Sequence, residues 1–293
     1  MIRIGTIVAG SAYPLEGFNL GLRDLGWLDG GNIAFEVRAA EGVLRRLPEF
    51  ANEMVSTGVD AIAVIGAVTV RAARQATSSI PIVFAVVVEP IGDGLVDNLQ
   101  RPAGNITGVT TFDPEQAGKQ LQLLKTVNPG LERIAILSDR GVTECLSNAN
   151  RQAAQDLGLR TQVIRVEGPS PEYEKAFAEM DQERAGALVV LEEPINQSNR
   201  KAIADLAAAR RLPTVFPISM ADAGGLFAYG TSLREAARHM ARYVDRILKG
   251  SLPGELPIEV VSHHELAINL SAARHLGVTV PPQLLARAGQ TTQ

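Results

Sequence analysis

Short apolar runs rich in β-branched residues alternate with amphipathic helical runs along almost the whole chain. The runs at residues 61–65 and 82–88 are apolar without interruption. Such continuity is typical of strands buried on both faces, as in a parallel sheet that helices cover on each side. The alternation therefore predicts an α/β fold built on parallel sheets.

The strand-helix alternation runs once through the first 110 residues and then restarts. In the first set we expect strands at residues 4–9, 33–39, 61–65, 82–88 and 106–110, and helices at 15–26, 47–57, 70–78 and 91–100. In the second set we expect helices at residues 114–127, 143–157, 171–184 and 196–210, and strands at 134–138, 162–166, 187–191, 214–216 and 226–229. A long helix at 232–249 precedes two short strands, at 258–261 and 265–270, and a helix at 272–276 that Ser271 caps.

Two sets of β-α units predict two doubly wound parallel-sheet lobes, and the length of 293 residues suits two domains. Turn residues at positions 101–105 interrupt the alternation before the last strand of the first set. A single (β/α)8 barrel contains a similar number of units and is the competing fold.

Composition and charge exclude several classes of protein. The formal net charge of -4 at pH 7 lacks the basic excess of a nucleic-acid-binding domain, so we expect no nucleic-acid partner. No apolar run reaches the roughly 20 residues that a membrane-spanning helix needs. The single cysteine, Cys145, excludes an internal disulfide, and the four histidines lack a metal-binding spacing, so we expect no metal site.

Motifs of common enzyme families are missing from the sequence. No G-x-G-x-x-G follows the first strand, and the chain has neither a phosphate-binding P-loop nor a G-x-S-x-G turn. No histidine falls in a strand-end loop, where it could serve as base to a serine or to Cys145. We therefore expect no catalytic residue, no cofactor and no enzymatic activity, and the missing motifs argue against a Rossmann-like enzyme.

Candidate functional residues follow from the predicted fold, because parallel α/β sheets bind ligands beyond the carboxyl ends of their strands. Several loops at that edge place small residues, Ser or Thr directly before a helix, where free N–H groups and the helix dipole suit a carboxylate. The residues that these loops offer are Ser11, Ala12, Gly66, Ala67, Val68, Thr69, Glu89, Asp139, Arg140, Glu192, Glu193 and Ser219. Each also has a purely structural interpretation: the hydroxyl residues could cap their helices, and the charged residues could be solvated or pair with one another.

Six short motifs are spread over nearly the whole chain. They are Phe18-x-x-Gly21-Leu22-x-x-Leu25-Gly26-Trp27, Ile80-Pro81-Ile82-Val83-Phe84, Leu99-x-Arg101-Pro102-x-Gly104-Asn105-Ile106-Thr107-Gly108-Val109, Ala223-Gly224-Gly225-Leu226-x-x-Tyr229-Gly230, Arg246-Ile247-Leu248-Lys249-Gly250 and Leu276-Gly277-Val278-Thr279-Val280-Pro281-Pro282. In number, order and spacing these segments resemble the substrate-binding proteins of ABC transporters, in the group typified by tryptophan and tyrosine transporters.

The resemblance implies the type I periplasmic-binding-protein fold, with two lobes that close on a small ligand about a three-crossing hinge. One lobe would hold residues 1–111 and 231–257, and the other residues 112–230 and 258–293. It also implies a secretory or lipoprotein leader upstream of residue 1, and a periplasmic location or a lipid anchor at the cell surface. The partners would be the ligand and an ABC permease in the membrane, and we expect a monomer.

The resemblance further implies which residues hold the ligand. Ser11 and Ala12, with the loop at residues 66–69, match the binding edge of the first lobe and would meet an acid group. The loops at Asp139, Glu192–Glu193 and Ser219 match the edge of the second lobe, and we include Tyr229. Because carboxylates stand in these loops, the expected ligand is an amino acid or aromatic acid that also carries a cationic or hydroxyl group.

One alternative function shares the bilobed architecture. Effector-sensing domains of lactose-repressor-type regulators have the same two lobes and act in the cytoplasm. Those proteins carry an N-terminal helix-turn-helix, which this sequence lacks. The solute-binding receptor is the preferred prediction, and the effector-sensing domain is the alternative.

Overall fold

The computed structural model describes residues 1–10, 15–168 and 170–292, and the chain forms two compact units. The first unit comprises residues 1–112 and 233–262, and the second comprises residues 113–232 and 263 onward. The chain therefore passes between the units three times. We call these three places the crossings.

Each unit contains its own helices and strands. Up to the first crossing the elements are β1 (Ile2–Val8), α1 (Leu15–Asp24), β2 (Ile33–Ala39), α2 (Leu47–Thr57), β3 (Ala61–Ile65), α3 (Ala67–Ala76), β4 (Ile82–Val87) and β5 (Ile106–Thr110). Up to the second crossing they are α4 (Pro114–Val127), β6 (Arg133–Asp139), α5 (Cys145–Asp156), β7 (Arg160–Val166), α6 (Tyr173–Gln182), β8 (Leu188–Val190), α7 (Pro194–Ser198), α8 (Arg200–Ala209), β9 (Thr214–Phe216) and β10 (Phe227–Thr231). The remainder are α9 (Leu233–Leu248), β11 (Glu259–Val260), β12 (His264–Asn269), α10 (Leu270–Leu276), α11 (Pro282–Arg287) and β13 (Gln290–Thr292). Short 3-10 turns occur at Leu44–Arg46, Ile218–Ala223 and Pro253–Glu255.

The strands form one sheet in each unit. The first sheet has the order β11-β5-β4-β3-β1-β2, and all of its pairs are parallel. The second has the order β13-β12-β10-β9-β8-β6-β7 and is parallel except between β10 and β12. These two sheets confirm the predicted pair of doubly wound lobes and exclude the single barrel.

Strand β3 shows how helices cover both faces of the first sheet. Ala63 and Ile65 pack into the hydrophobic cluster on one face, whereas Ile62 and Val64 pack into the cluster on the other. All four side chains are buried, because successive residues of a strand point to opposite faces. The second sheet is covered in the same way, and its core forms two further clusters. A covered central strand such as β3 therefore reaches solvent at its ends, whereas the edge strands β2 and β11 are more exposed.

The prediction of a helix at residues 91–100 is wrong. The segment between β4 and β5 forms turns, and Gly94 has a φ of 65°, outside the helical region. Gly92 and Gly94 lower the helix propensity of the segment. The side chain of Arg71 on α3 holds the loop in place through an ion pair of 3.2 Å with Asp93.

Three smaller predictions also differ from the structure. Asn269, and not Ser271, caps the helix α10, because its side chain accepts a hydrogen bond from the N–H of Ala272. The helix predicted over residues 196–210 is divided into α7 and α8 at Asn199. Residues 258–262 lie in the first unit and not in the second, because β11 pairs with β5.

Helix α9 returns to the first unit and packs against α1. Two glycines on α1 allow this close approach: a Cβ on Gly17 would lie 2.0 Å from the carbonyl oxygen of Arg234, and one on Gly21 would lie 2.7 Å from the Cβ of Ala241. The two helices run parallel, since Gly17 meets the start of α9 and the Trp27 indole, just beyond α1, donates to Asp245 near its end at 2.8 Å. The segment after the second crossing is thus part of the core of the first unit.

We predict that Gly21→Ala destabilises the protein by about 1–3 kcal/mol, because the added methyl group overpacks the contact between α1 and α9. The matched control is Gly118→Ala in α4, where no heavy atom lies within 4 Å of the new Cβ. That control should raise stability by up to about 1 kcal/mol, since alanine favours a helix interior over glycine. Chemical denaturation of both variants measures the difference. Equal stability of Gly21→Ala and the wild type would show that the helices separate freely.

Candidate ligand-binding site

The carboxyl end of β3 leads directly into helix α3 in the first unit. Gly66, with a φ of 89°, precedes the helix and provides no side chain to cap it. The N–H groups of Ala67 and Val68 stand in the first turn, where a helix has no internal acceptors. The two residues are half-buried. The predicted loop at residues 66–69 is therefore an uncapped helix N-terminus, which suits an anion.

The hydroxyl of Thr69 is used within the same turn. It lies 2.6 Å from the carbonyl oxygen of Ile65 and 2.5 Å from that of Gly66, and the residue is fully buried. Its role in this structure is to tie the first turn of α3 to the end of β3. The backbone of the loop, and not the threonine hydroxyl, is what the first unit offers to a ligand here.

The end of the neighbouring strand β4 contains a bulge that the sequence does not reveal. Val86 has a φ of 61°, which is rare for a β-branched residue, and the pairing with β5 shifts between Phe84 and Val87. The hydroxyl of Thr110 donates to the carbonyl oxygen of Val87 at 2.5 Å. Residues 85–88 are uniformly apolar and predict an uninterrupted strand. The local sequence therefore does not indicate the bulge at Val86.

Glu89 is the other predicted residue of the first unit that the structure describes. Glu89 follows β4 and folds over its own loop, since a Cβ on Gly92 would lie only 2.8 Å from its Oε2. Ser11 and Ala12 lie outside the described residues.

In the second unit Glu192 lies at the end of β8 and meets the segment that follows β9. The hydroxyl of Ser219 donates to its Oε1 at 2.5 Å. Burial raises the pKa of Glu192 to about 7, and the hydrogen bond from Ser219 opposes this rise. Glu192 is therefore partly protonated near pH 7, and Ser219 forms a hydrogen bond with one of its two carboxyl oxygens.

Glu193 points into the unit and joins the ends of two strands. Its Oε1 lies 3.2 Å from the hydroxyl of Ser138, its Oε2 accepts a hydrogen bond from the N–H of Asp139, and only 4% of the residue is exposed. Burial raises the pKa of Glu193 to about 8, against the effect of these hydrogen bonds. The amide of Asn196 reinforces the junction by donating to the carbonyl oxygens of Leu137 and Leu191 at 3.1 and 3.2 Å. Glu193 and Asn196 thus position the loops of this edge.

Asp139 and Arg140 occupy different environments. The carboxylate of Asp139 is buried and accepts a hydrogen bond of 2.7 Å from the N–H of Gly141. Arg140 is exposed and forms an ion pair of 3.4 Å with Glu167. The two residues do not form an ion pair with each other. Among the predicted residues of this unit, Glu192 therefore contacts Ser219, and Glu193 contacts Asp139. Arg140 instead pairs with Glu167, which follows the outer strand β7.

Tyr229 lies in the core of the second unit, near the crossings. Its ring stacks on His264 with centroids 5.4 Å apart, and only 7% of the residue is exposed. The Nε2 of His264 lies 3.2 Å from Asp113, at the start of α4. Burial lowers the pKa of His264, and Asp113 partly offsets this effect. Tyr229 therefore connects segments next to two crossings, and in this structure its ring faces His264.

The described residues form neither a metal-binding cluster nor a membrane-spanning helix. Among the residues that it describes, no three His, Cys, Asp or Glu side chains converge as metal ligands would. None of the described helices combines the length and the apolar character that crossing a membrane requires.

Comparison with known proteins agrees with the sequence resemblance. Residues 3–292 match the family model described as ABC transporter substrate binding protein. A tyrosine-binding protein from Clostridioides difficile (strain R20291) is 34% identical over 122 residues, which cover 42% of this chain. The aligned part of the chain spans only 35% of the length of that relative.

Two solved structures share the fold over essentially the whole chain. One is an ABC domain in complex with L-Trp from Streptococcus pneumoniae, with a TM-score of 0.89, 23% identity and 99% of both chains covered. The other is a ligand-free, open structure of a substrate-binding protein with adhesive properties from Clostridium difficile, with a TM-score of 0.75, 20% identity and 100% of both chains covered. The shared fold is that of type I periplasmic binding proteins.

We predict that Glu193→Gln gains stability relative to the wild type as the pH rises from 5 to 8.5. The folded-state pKa of about 8 exceeds the ordinary value of 4.5, so the folded protein binds this proton more tightly and loses stability as the pH rises between the two values. One such group contributes a slope of at most about 1.4 kcal/mol per pH unit. Glutamine keeps both contacts, because its amide can accept from Asp139 and donate to Ser138.

Urea denaturation at several pH values measures this effect, with the exposed Glu167→Gln as the matched control. The free energy of unfolding of Glu193→Gln, relative to that of the wild type, should increase with pH. The Glu167→Gln control should not show this trend. A constant difference would mean that Glu193 does not titrate in this range.

Proposed function

The chain belongs to the ABC transporter substrate-binding protein family, and we propose on that premise that it is the solute receptor of an importer. It would capture a small carboxylate-bearing ligand, an amino acid or an aromatic acid, and deliver it to a permease in the membrane. We further propose that it works as a monomer outside the cytoplasm, in the periplasm or anchored by lipid. Binding energy would be used to hold the ligand and not to transform it.

The uncapped start of α3 supports an acid-binding role for the first unit. Gly66 leaves the N–H groups of Ala67 and Val68 without a side-chain cap, and the positive end of the helix dipole lies at the same place. The carboxylate of a ligand would accept hydrogen bonds from these groups. Ser11 and Ala12 remain part of this proposal from the sequence.

The environment of the Glu192 carboxyl group is the main support for the proposed ligand class. The residue is half-buried at a strand end, and Ser219 donates to one of its two carboxyl oxygens, Oε1. A ligand ammonium group would complete the environment of this carboxylate, because a buried charge needs a partner. A ligand that carries both an acid group and an amino group is an amino acid.

The comparisons support an aromatic side chain in the ligand. The curated relative is a tyrosine-binding protein, and the solved structure with the same fold was determined with L-Trp. We propose L-tryptophan and L-tyrosine as the first ligands to test.

We predict that Glu192→Gln weakens the binding of L-tryptophan by about 10- to 100-fold. A hydrogen bond to a charged group contributes about 1.5–3 kcal/mol, and about 1.4 kcal/mol corresponds to a factor of ten. Indole-3-propionate, which lacks the amino group, should bind the variant and the wild type within about threefold, since it makes no such bond. Isothermal titration calorimetry with both ligands measures this difference.

Two controls make the test specific. Glu167→Gln removes an exposed carboxylate from the same unit and should bind both ligands as the wild type does. L-tryptophan amide, which lacks the acid group, should bind the wild type at least about tenfold more weakly than L-tryptophan. If Glu192→Gln binds L-tryptophan as tightly as the wild type, the amino group is held elsewhere.

The affinity of the wild type for L-tryptophan should also rise by about tenfold between pH 6 and pH 8. Glu192, with a pKa of about 7, must lose its proton before it can pair with an ammonium group. The Glu192→Gln variant has no such proton to lose. A rise of equal size in that variant would assign the pH dependence to another group.

A further inference from the structure

Helix α9 carries a row of exposed arginines on its solvent side. Arg234, Arg238, Arg242 and Arg246 follow one another at intervals of four residues, and all four are exposed. At 1.5 Å of rise per residue the row is about 18 Å long, and it turns through about 120° around the helix. We call these four residues the arginine stripe. The opposite side of α9 is buried against α1 and the first sheet.

Most of the stripe is not neutralised by neighbouring carboxylates. Arg238 pairs with Asp24 at 2.6 Å and approaches Glu235 at 3.8 Å. Within the described part of the chain, the other three arginines form no ion pair, whereas Lys249 beyond the stripe pairs with Asp245. This positive charge is local, because the whole chain has a formal net charge of -4.

Exposed leucines lie at the C-terminal end of the stripe. Leu25 and Leu28, 37% and 54% exposed, flank Trp27 in the loop after α1, and the Trp27 indole binds Asp245 in the last turns of α9. Leu252, 61% exposed, follows α9 by four residues. The end of α9 therefore presents large apolar side chains beside guanidinium groups.

We propose that the arginine stripe, together with these leucines, docks the first unit on an anionic phospholipid surface. Guanidinium groups form paired hydrogen bonds with phosphate oxygens, and each basic residue near an anionic membrane adds to the attraction. The leucines can enter the boundary between headgroups and acyl chains, where peripheral proteins place such side chains. A lipid surface is favoured over an acidic protein because exposed leucines lie beside the stripe, and peripheral membrane segments combine basic and apolar side chains in this way.

Sedimentation of the full chain with vesicles tests this proposal. We expect it to bind vesicles of 30% phosphatidylglycerol and 70% phosphatidylcholine, and to bind pure phosphatidylcholine at least about tenfold more weakly. Binding should weaken in 0.5 M salt, because salt screens exposed charges. The double variant Arg242→Glu/Arg246→Glu should lose at least about tenfold in binding. Leu28→Ser/Leu252→Ser should weaken binding while leaving its salt dependence in place.

The matched control is Arg151→Glu/Arg274→Glu, which makes the same change in net charge on exposed arginines of the second unit. It should bind the anionic vesicles within about threefold of the wild type. Thermal denaturation should show that all variants fold, and their affinity for L-tryptophan should match that of the wild type. Failure of the wild type to bind anionic vesicles, or equal binding by the α9 variant and the control, would overturn the proposal.

Discussion

The burial of both faces of each parallel sheet is the constraint on which the rest of the structure depends. In β3, neighbouring residues such as Val64 and Ile65 enter different hydrophobic clusters, so neither face is open to solvent. Polar chemistry is thereby confined to the strand ends, where helices begin and N–H groups lack partners. The loop at residues 66–69 and the pair Glu192 and Glu193 lie at such ends for this reason.

The two adjacent glutamates at the strand ends of the second unit have different roles. The carboxyl group of Glu193 forms hydrogen bonds with Ser138 and with the N–H of Asp139, and it thereby holds the end of β6 beside the end of β8. Among the described residues Glu192 has a single side-chain hydrogen-bond partner, Ser219, and we propose it as the carboxylate that a ligand pairs with. Burial raises the pKa of both groups, and pairing the charge of Glu192 with a ligand would offset this cost.

Local patterns predicted most of the strands well, because apolar continuity is a property of neighbouring residues. They placed the start of the third helix at residue 70, three residues after the observed start of α3 at Ala67. The role of Glu193 could not be predicted, because its partners Ser138 and Asp139 stand more than 50 positions away in the chain. The bulge at Val86 depends on the pairing of β4 with β5, and the sequence of β4 alone does not encode it. The helix predicted at residues 91–100 does not form, because Gly92 and Gly94 disfavour a helix despite the apolar spacing.

Native mass spectrometry of the protein in an equimolar mixture of amino acids, aromatic acids, sugars, nucleosides and polyamines tests the receptor function most directly. The prediction is one bound molecule per chain, drawn from the amino acids or aromatic acids and displaced by none of the sugars, nucleosides or polyamines. Binding of only a sugar, nucleoside or polyamine, or of no compound in the mixture, would contradict the assignment of a carboxylate-bearing ligand.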